Sequence, residues 1–271
     1  MKALIPSFFI FVSVLWFSSS AFSEDTIYKF SIVPQQSASK TAKIWGPVLK
    51  YLTKETGYTF KLKTAKNIPV FEARLLKADA DFSYMNPYHY TIFHEKSEYQ
   101  ALAKAKNKRI KGIIVVHKDS NITSIEDLKN KDLAFPSPAA FAASILPRGY
   151  LKQQNISMTP HYVSSHDSVY QNVAKNRYIA GGGIMRTFKN TRKKTRDQLK
   201  VLWTTEGYTP HAIAYHSRVP KHVVEKVQTA LIKLEETDAG KEMLKKMKIK
   251  GFEKAFNEDW NDVRSLKIDQ L

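Results

Sequence analysis

Leu133-Ala134-Phe135-Pro136-Ser137-Pro138-Ala139-Ala140-Phe141-Ala142-Ala143-Ser144-Ile145-Leu146-Pro147 is the stretch from which the fold is read. An apolar run at 133–135 meets a Pro/Ser turn at 136–138, and a small-residue segment of helical character, 139–145, follows at once. A strand that feeds a helix this directly points the helix's free N–H groups into the crevice at the strand's carboxyl end. Such a crevice is a favourable place to hold an anion.

The chain on either side keeps the same rhythm. Residues 27–33 alternate like a strand and end at Pro34-Gln35-Gln36-Ser37; residues 41–56 carry Ile44, Val48, Leu49 and Leu52 on one helical face and close at Gly57. A strand at 59–64, a helix at 69–78 and a short strand at 81–84 complete a β-α-β-α-β order, which predicts a parallel sheet with covering helices. Downstream, 112–117 (GIIVVH) reads as a buried strand and 124–128 as a short helix capped by Ser124. A helix over 139–153 is interrupted at Pro147 and Gly149. Strands at 161–164, 179–184, 201–204 and 211–216 follow, with helices at 168–176, 223–234 and 241–247. Chain crossings near 112 and 210 divide the protein into lobe 1 (24–112 and 211–271) and an inserted lobe 2 (113–210).

Residues 1–23 hold Lys2, an apolar stretch over 3–17 and a small-residue exit at Ala21 and Ser23, the pattern of a secretory signal peptide and too short for a membrane span. The chain has no cysteine, which excludes disulfides, a thiol nucleophile and a lipidated cysteine; an exported protein without disulfides suits a bacterial periplasm. The charge balance is +18, from 43 Lys+Arg against 25 Asp+Glu. That favours anionic partners, and export sets nucleic acid aside.

Catalysis has no visible apparatus. Gly-x-Ser-x-Gly, Walker, Gly-x-Gly-x-x-Gly and His-Glu-x-x-His motifs are absent, and the eight histidines show no metal-ligand spacing. No catalytic residue, metal or cofactor is expected, and Gly181–Gly183 read as strand-end packing. Three loops form a candidate crevice instead. The first, Ser83 to Tyr88, offers Tyr84 and Asn86 for hydrogen bonding and Tyr88 for stacking, or else is a satisfied turn. The second holds Ser137 and Phe141. In the third, Ser164-Ser165-His166-Asp167, Ser165 or Asp167 capping explains the polar cluster but not His166.

These loops carry a resemblance. Trp45-Gly46-Pro47 with Tyr51-Leu52 and Thr56-Gly57, Ala80-Asp81-Phe82 leading to Asn86-Pro87 and Tyr90, Asp119-Ser120 with Ile125-Glu126-Asp127-Leu128-Lys129, Phe135 with Pro138 and Pro147, and Ser165-His166-Asp167 together resemble the phosphonate-type periplasmic solute-binding proteins of ABC importers. The resemblance runs over about 28–235. It implies a type II, bilobed periplasmic-binding-protein-like α/β fold whose cleft closes over a small ligand. It also implies an anion held on the backbone N–H groups of Ala140-Phe141-Ala142, assisted by Tyr84 and His166. The family's Ser-Thr-Ser hydroxyls are missing there, and Ile179 and Arg186 stand where acids are usual. Three lost hydroxyls remove charge-assisted bonds of roughly 1.5–3 kcal/mol each, which argues against a simple phosphonate. Phe141 offers an apolar wall. Arg186 reads either as a bidentate partner for a carboxylate, sulfonate or phosphate, or as one more surface arginine beside Lys189 and Arg192.

The sequence therefore predicts a monomeric periplasmic binding protein. It would capture a small anionic solute for an ABC permease or a membrane sensor through Tyr84, Asn86, Ser137, Phe141, His166 and Arg186. The alternative is an exported cationic module that adheres to anionic envelope polymer or lipid and keeps a vestigial cleft.

Overall fold

A computed structural model describes residues 26–268 of the chain. The expected signal peptide at 1–23 lies outside the described residues. The eleven described strands are β1 (Ile27–Ile32), β2 (Thr59–Lys63), β3 (Phe82–Met85), β4 (Tyr99–Ala105), β5 (Gly112–His117), β6 (Lys131–Phe135), β7 (Met158–Tyr162), β8 (Ala180–Ile184), β9 (Leu199–Thr204), β10 (Ala212–His216) and β11 (Phe252–Lys254). They form two sheets, in the orders β11-β4-β10-β3-β1-β2 and β7-β6-β8-β5-β9.

Both sheets are mixed, and the strands of the β-α-β-α-β order are parallel as expected. β1, β2 and β3 run parallel, as do β6, β7 and β8. β10 and β5 run antiparallel to the strands they enter beside. The reason is topological: each is the first strand after the chain crosses between lobes, and it arrives from the opposite end of the sheet. The two crossing segments themselves pair, Ile110 with Tyr208, through backbone bonds of 2.8 and 3.0 Å.

Burial explains which strands read clearly. On β5, Ile113 and Val115 face one core of lobe 2 while Ile114 and Val116 face the other, so the unbroken apolar run is that of a strand covered on both sides. The helix Ala38–Thr56 starts at Ser37, whose Oγ accepts from the Lys40 N–H, and buries Trp45, Val48, Leu49 and Leu52 before Gly57 ends it in the left-handed conformation (φ 78°).

Two local expectations change. Ser124 caps nothing; the Asp127 carboxylate instead accepts from the N–H groups of Thr123 and Ser124 at 2.8 and 2.9 Å, tightening a 3₁₀ turn. Pro147 does not interrupt a helix. A wide π-helical turn, Phe141–Ile145, runs into the α-helix Leu146–Gln153, which holds Pro147 in its first turn and continues through Gly149 without a break.

Candidate functional site

The site is built from strand ends. β1 delivers Gln35 and Gln36, β3 delivers Tyr84, β6 delivers the turn to Phe141, and the helix His166–Ala174 begins where β7 has ended. The lobes are closed on one another along these residues. His166 donates its backbone N–H to the Gln35 carbonyl at 3.1 Å. Asn86 Nδ2 donates to the Ala139 carbonyl at 3.2 Å, and Arg186 Nη2 donates to Gln35 Oε1. At the rim, Lys40 Nζ lies 3.4 Å from an Asp167 carboxylate oxygen.

Gln35 is the keystone. Its Nε2 lies 2.9 Å from His211 Nε2, and because an amide nitrogen only donates, the histidine nitrogen must accept and is unprotonated. That agrees with its electrostatics: burial pushes His211 well below the usual histidine range, and Arg186 adds to the effect. Burial, and secondarily Arg186, pushes His166 down to about 3. Its Nδ1 lies 3.1 Å from Thr187 Oγ1. Tyr84 stacks on His211 with ring centroids 5.0 Å apart, touches Trp45 at 4.7 Å, and has the Arg186 guanidinium 6.0 Å from its ring centre.

The six candidates separate on this geometry. Tyr84 and Arg186 share the wall of one space, and Phe141, Asn86 and His166 share another. Asn86 is committed to structure: its Oδ1 caps the helix Pro87–Ser97 by accepting from the His89 N–H at 2.7 Å, and its Nδ2 links the lobes. Ser137 is buried in its turn, and its Oγ has no hydrogen-bond partner among the described residues. Tyr88 does not stack in the crevice; it is buried and gives its O–H to the Ile268 carbonyl at 3.4 Å. Ser165 caps its helix by accepting from the Ser168 N–H at 3.1 Å, as one of the two capping alternatives proposed.

The space against Ala140–Ala143, His166 and His211 is almost closed, leaving about 10 Å³ for the centre of a water molecule. That is about the minimum that holds one water. Phe141 is responsible in part: it is 1 % exposed, packs edge-on to Tyr208 at 5.5 Å and belongs to the larger core of lobe 1. Two glycines admit the turn. A Cβ on Gly112 would sit 2.0 Å from the Ala142 carbonyl oxygen, and one on Gly182 1.9 Å from that of Ala143. The glycine run is thus a packing device, as read.

The second space is bounded by Gln36, Trp45, Tyr84 and Arg186 and leaves about 20 Å³. Gln36 is 7 % exposed and its buried Nε2 has no partner among the described residues. Among the described residues, no carboxylate lines it. Sequence reading missed Gln35, Gln36 and His211, although the position of Pro34-Gln35-Gln36-Ser37 at a strand's carboxyl end was the available signal.

The family described as ABC transporter, phosphonate, periplasmic substrate-binding protein matches residues 30–260. The chain belongs to that family. It is 20% identical over 220 residues to the phosphate-import protein PhnD of Mycolicibacterium smegmatis, covering 73% of this chain and 68% of the relative. Its fold is similar to a binding protein component of an ABC phosphonate transporter from Pseudomonas aeruginosa (TM-score 0.83, 17% identity, 90% of this chain and 86% of the other). It is also similar to PhnD1 from Prochlorococcus marinus in complex with methylphosphonate (TM-score 0.82, 17% identity, 89% and 96%). This is therefore a solute-binding protein of the ABC-transporter type, with the type II bilobed fold. No helix of the described residues is long and apolar enough to cross a membrane.

Proposed function

We propose that the protein captures a small anionic solute other than a simple phosphonate, in the periplasm, by closing lobe 2 (113–210) onto lobe 1 (24–112 and 211–271). It would work as a monomer and pass the solute to an ABC permease or a membrane sensor. The observation that carries this reading is the Arg186 guanidinium, which shares the space at the lobe junction with Tyr84 and with Gln36 Nε2, a donor that has no partner among the described residues, and no described carboxylate lines that space. A cation and an unmatched N–H donor lining one small space suit a single anionic oxygen. The turn at Ala140-Phe141-Ala142 supports the exclusion of phosphonate, since it offers no hydroxyl and about 10 Å³ of room. Closure then follows from differential contacts, because the ligand touches both lobes only when they meet.

The test is a thermal-shift panel of inorganic phosphate, methylphosphonate, sulfonates and carboxylates, followed by calorimetry on each hit. An organic anion should raise the melting temperature, and its affinity should fall at least tenfold in Arg186→Ala and Tyr84→Ala. Methylphosphonate as the tightest ligand, or affinities unchanged in both variants, overturns the reading. Binding only to anionic polymer or vesicles, with a steep salt dependence and no small-molecule shift, selects the adhesive module instead.

A further inference from the structure

Beside the junction lies a much larger space of about 330 Å³, bounded by both crossing segments, by the chain after β8 and by the loop that follows Met247. It is within the size of pockets that hold organic ligands. Tyr84, Arg186 and Ile249 line it as well as the small space at Gln36, so the two adjoin. Its cationic lining is Lys108, Arg109, Lys111, Arg186, Lys189 and Lys248, and among the described residues no Asp or Glu lines it.

Most of that charge is uncommitted. Arg109 is paired with Asp262 at 2.8 Å, and Arg186 is bonded to Gln35. Lys108, Lys111, Lys189 and Lys248 make no ion pair among the described residues, although elsewhere lysines do so repeatedly, as Lys104 does with Asp259 and Lys106 with Glu235. Between the cations the wall is apolar, with Ile110, Met185 and Ile249, and Tyr84 forms its inner end. A site for a fully hydrated inorganic ion has no use for such a wall.

We propose that this hinge-side pocket binds the body of an organic polyanion: an apolar or aromatic moiety bearing two or more negative charges, such as an aryl phosphate or an aromatic polycarboxylate. One anionic oxygen enters the small space toward Arg186 and Gln36. The ring lies along Ile110, Met185 and Ile249, and the remaining charge meets Lys108, Lys111 and Lys248. The inference rests on the capture reading above and names its ligand class. It also gives the crossing segments a part in recognition, because Lys108 and Lys111 sit on one of them and Pro210 and His211 on the other.

The experiment is calorimetry on the purified protein with phenyl phosphate and benzene-1,3,5-tricarboxylate, with methylphosphonate as the small comparator and benzyl alcohol as the uncharged one. Both ring anions should bind at least tenfold more tightly than either comparator. The triple variant Lys108→Ala/Lys111→Ala/Lys248→Ala should weaken them at least tenfold and flatten the salt dependence, while its melting temperature without ligand stays that of the parent. If Arg186→Ala weakens a ring anion and the triple variant does not, capture at the junction stands and the hinge-side pocket falls. If neither variant matters, both readings fall. Ring anions that bind no better than methylphosphonate, or not at all, overturn the polyanion assignment.

Discussion

Acidification should loosen the lobe junction before it disturbs the rest of the fold, and His166 supplies the magnitude. Its ordinary value is 6.5 and burial in the closed junction lowers it to about 3. Below pH 6.5 the unfolded chain, or an opened cleft that wets the ring, therefore binds more protons than the closed form. Stability rises with pH across this window: protonation of His166 does not oppose the closed state above about 6.5 and penalises it progressively down to about 3. At pH 5 the linkage amounts to about 2 kcal/mol for this one residue, which in a domain of this size is roughly 4–8 °C in melting temperature. His211 acts in the same direction, since protonating Nε2 abolishes the acceptor that Gln35 uses. Asp79, hydrogen-bonded to Lys29, and Asp127, held by the Thr123 and Ser124 N–H groups, lie below the usual value of 3.8 and stay ionised at pH 5. The assay is melting temperature from pH 7.5 to 5, paired with small-angle scattering. The radius of gyration should grow as pH falls while the helical signal persists. His166→Asn, which keeps a polar atom near Thr187 but carries no titrating ring, should flatten the slope. Parallel profiles for parent and variant would refute the argument.

Three other perturbations follow from named contacts. Gly182→Ala drives a Cβ to 1.9 Å from the Ala143 carbonyl oxygen, a backbone atom that cannot step aside, so it should cost about 1–3 kcal/mol or more; an unmoved urea midpoint would contradict it. Gln35→Ala removes the side-chain bonds to both Arg186 and His211, and scattering should then report a more open ligand-free particle with the melting temperature lowered by only a few degrees. Asn86→Ala deletes a helix cap and an interlobe bond together; a loss of about 1 kcal/mol is expected from the cap alone, and denaturant unfolding that shows no loss would mean the cap is not formed in solution.

What the sequence displayed and what it hid divide along physical lines. β5 and the helix Ala38–Thr56 were legible because burial on two faces, or on one stripe, writes itself into hydrophobic order. The helix Pro87–Ser97 was not, because Tyr88, His89, Tyr90, Thr91 and Phe93 are buried around most of its circumference and leave no polar face to mark a period. β4 was also missed; its lysine at 104 looks like surface until Asp259 and Glu253 arrive from the far end of the chain to pair it. At the site, strand-end position pointed to Tyr84 and His166. The pairing of Gln35 with His211 joins residues 176 apart and has no local signature. Asn86 looked like a ligand contact because capping and ligand recognition call for the same side chain.

The electrostatics of the junction bear on why a ligand should be needed at all. Arg186 is half-buried in the closed form, and its side-chain partner is the neutral amide of Gln35. An amide oxygen satisfies one N–H of the guanidinium but leaves the positive charge uncompensated, and the neighbouring histidines, driven neutral, add no counter-charge. Desolvating an unpaired charge is unfavourable, so Arg186 opposes closure without ligand, against the hydrogen bonds of Gln35, Asn86 and His166 that favour it. An anion removes that penalty only when the lobes are shut around it, and the shut form is then favoured by the difference. Arg186→Glu removes the cation and puts a negative charge in its place, so it should be more damaging to anion binding than Arg186→Ala, with calorimetry on the same ring anion measuring both. Equal losses in the two variants would mean that Arg186 contributes through packing against Tyr84 rather than through its charge.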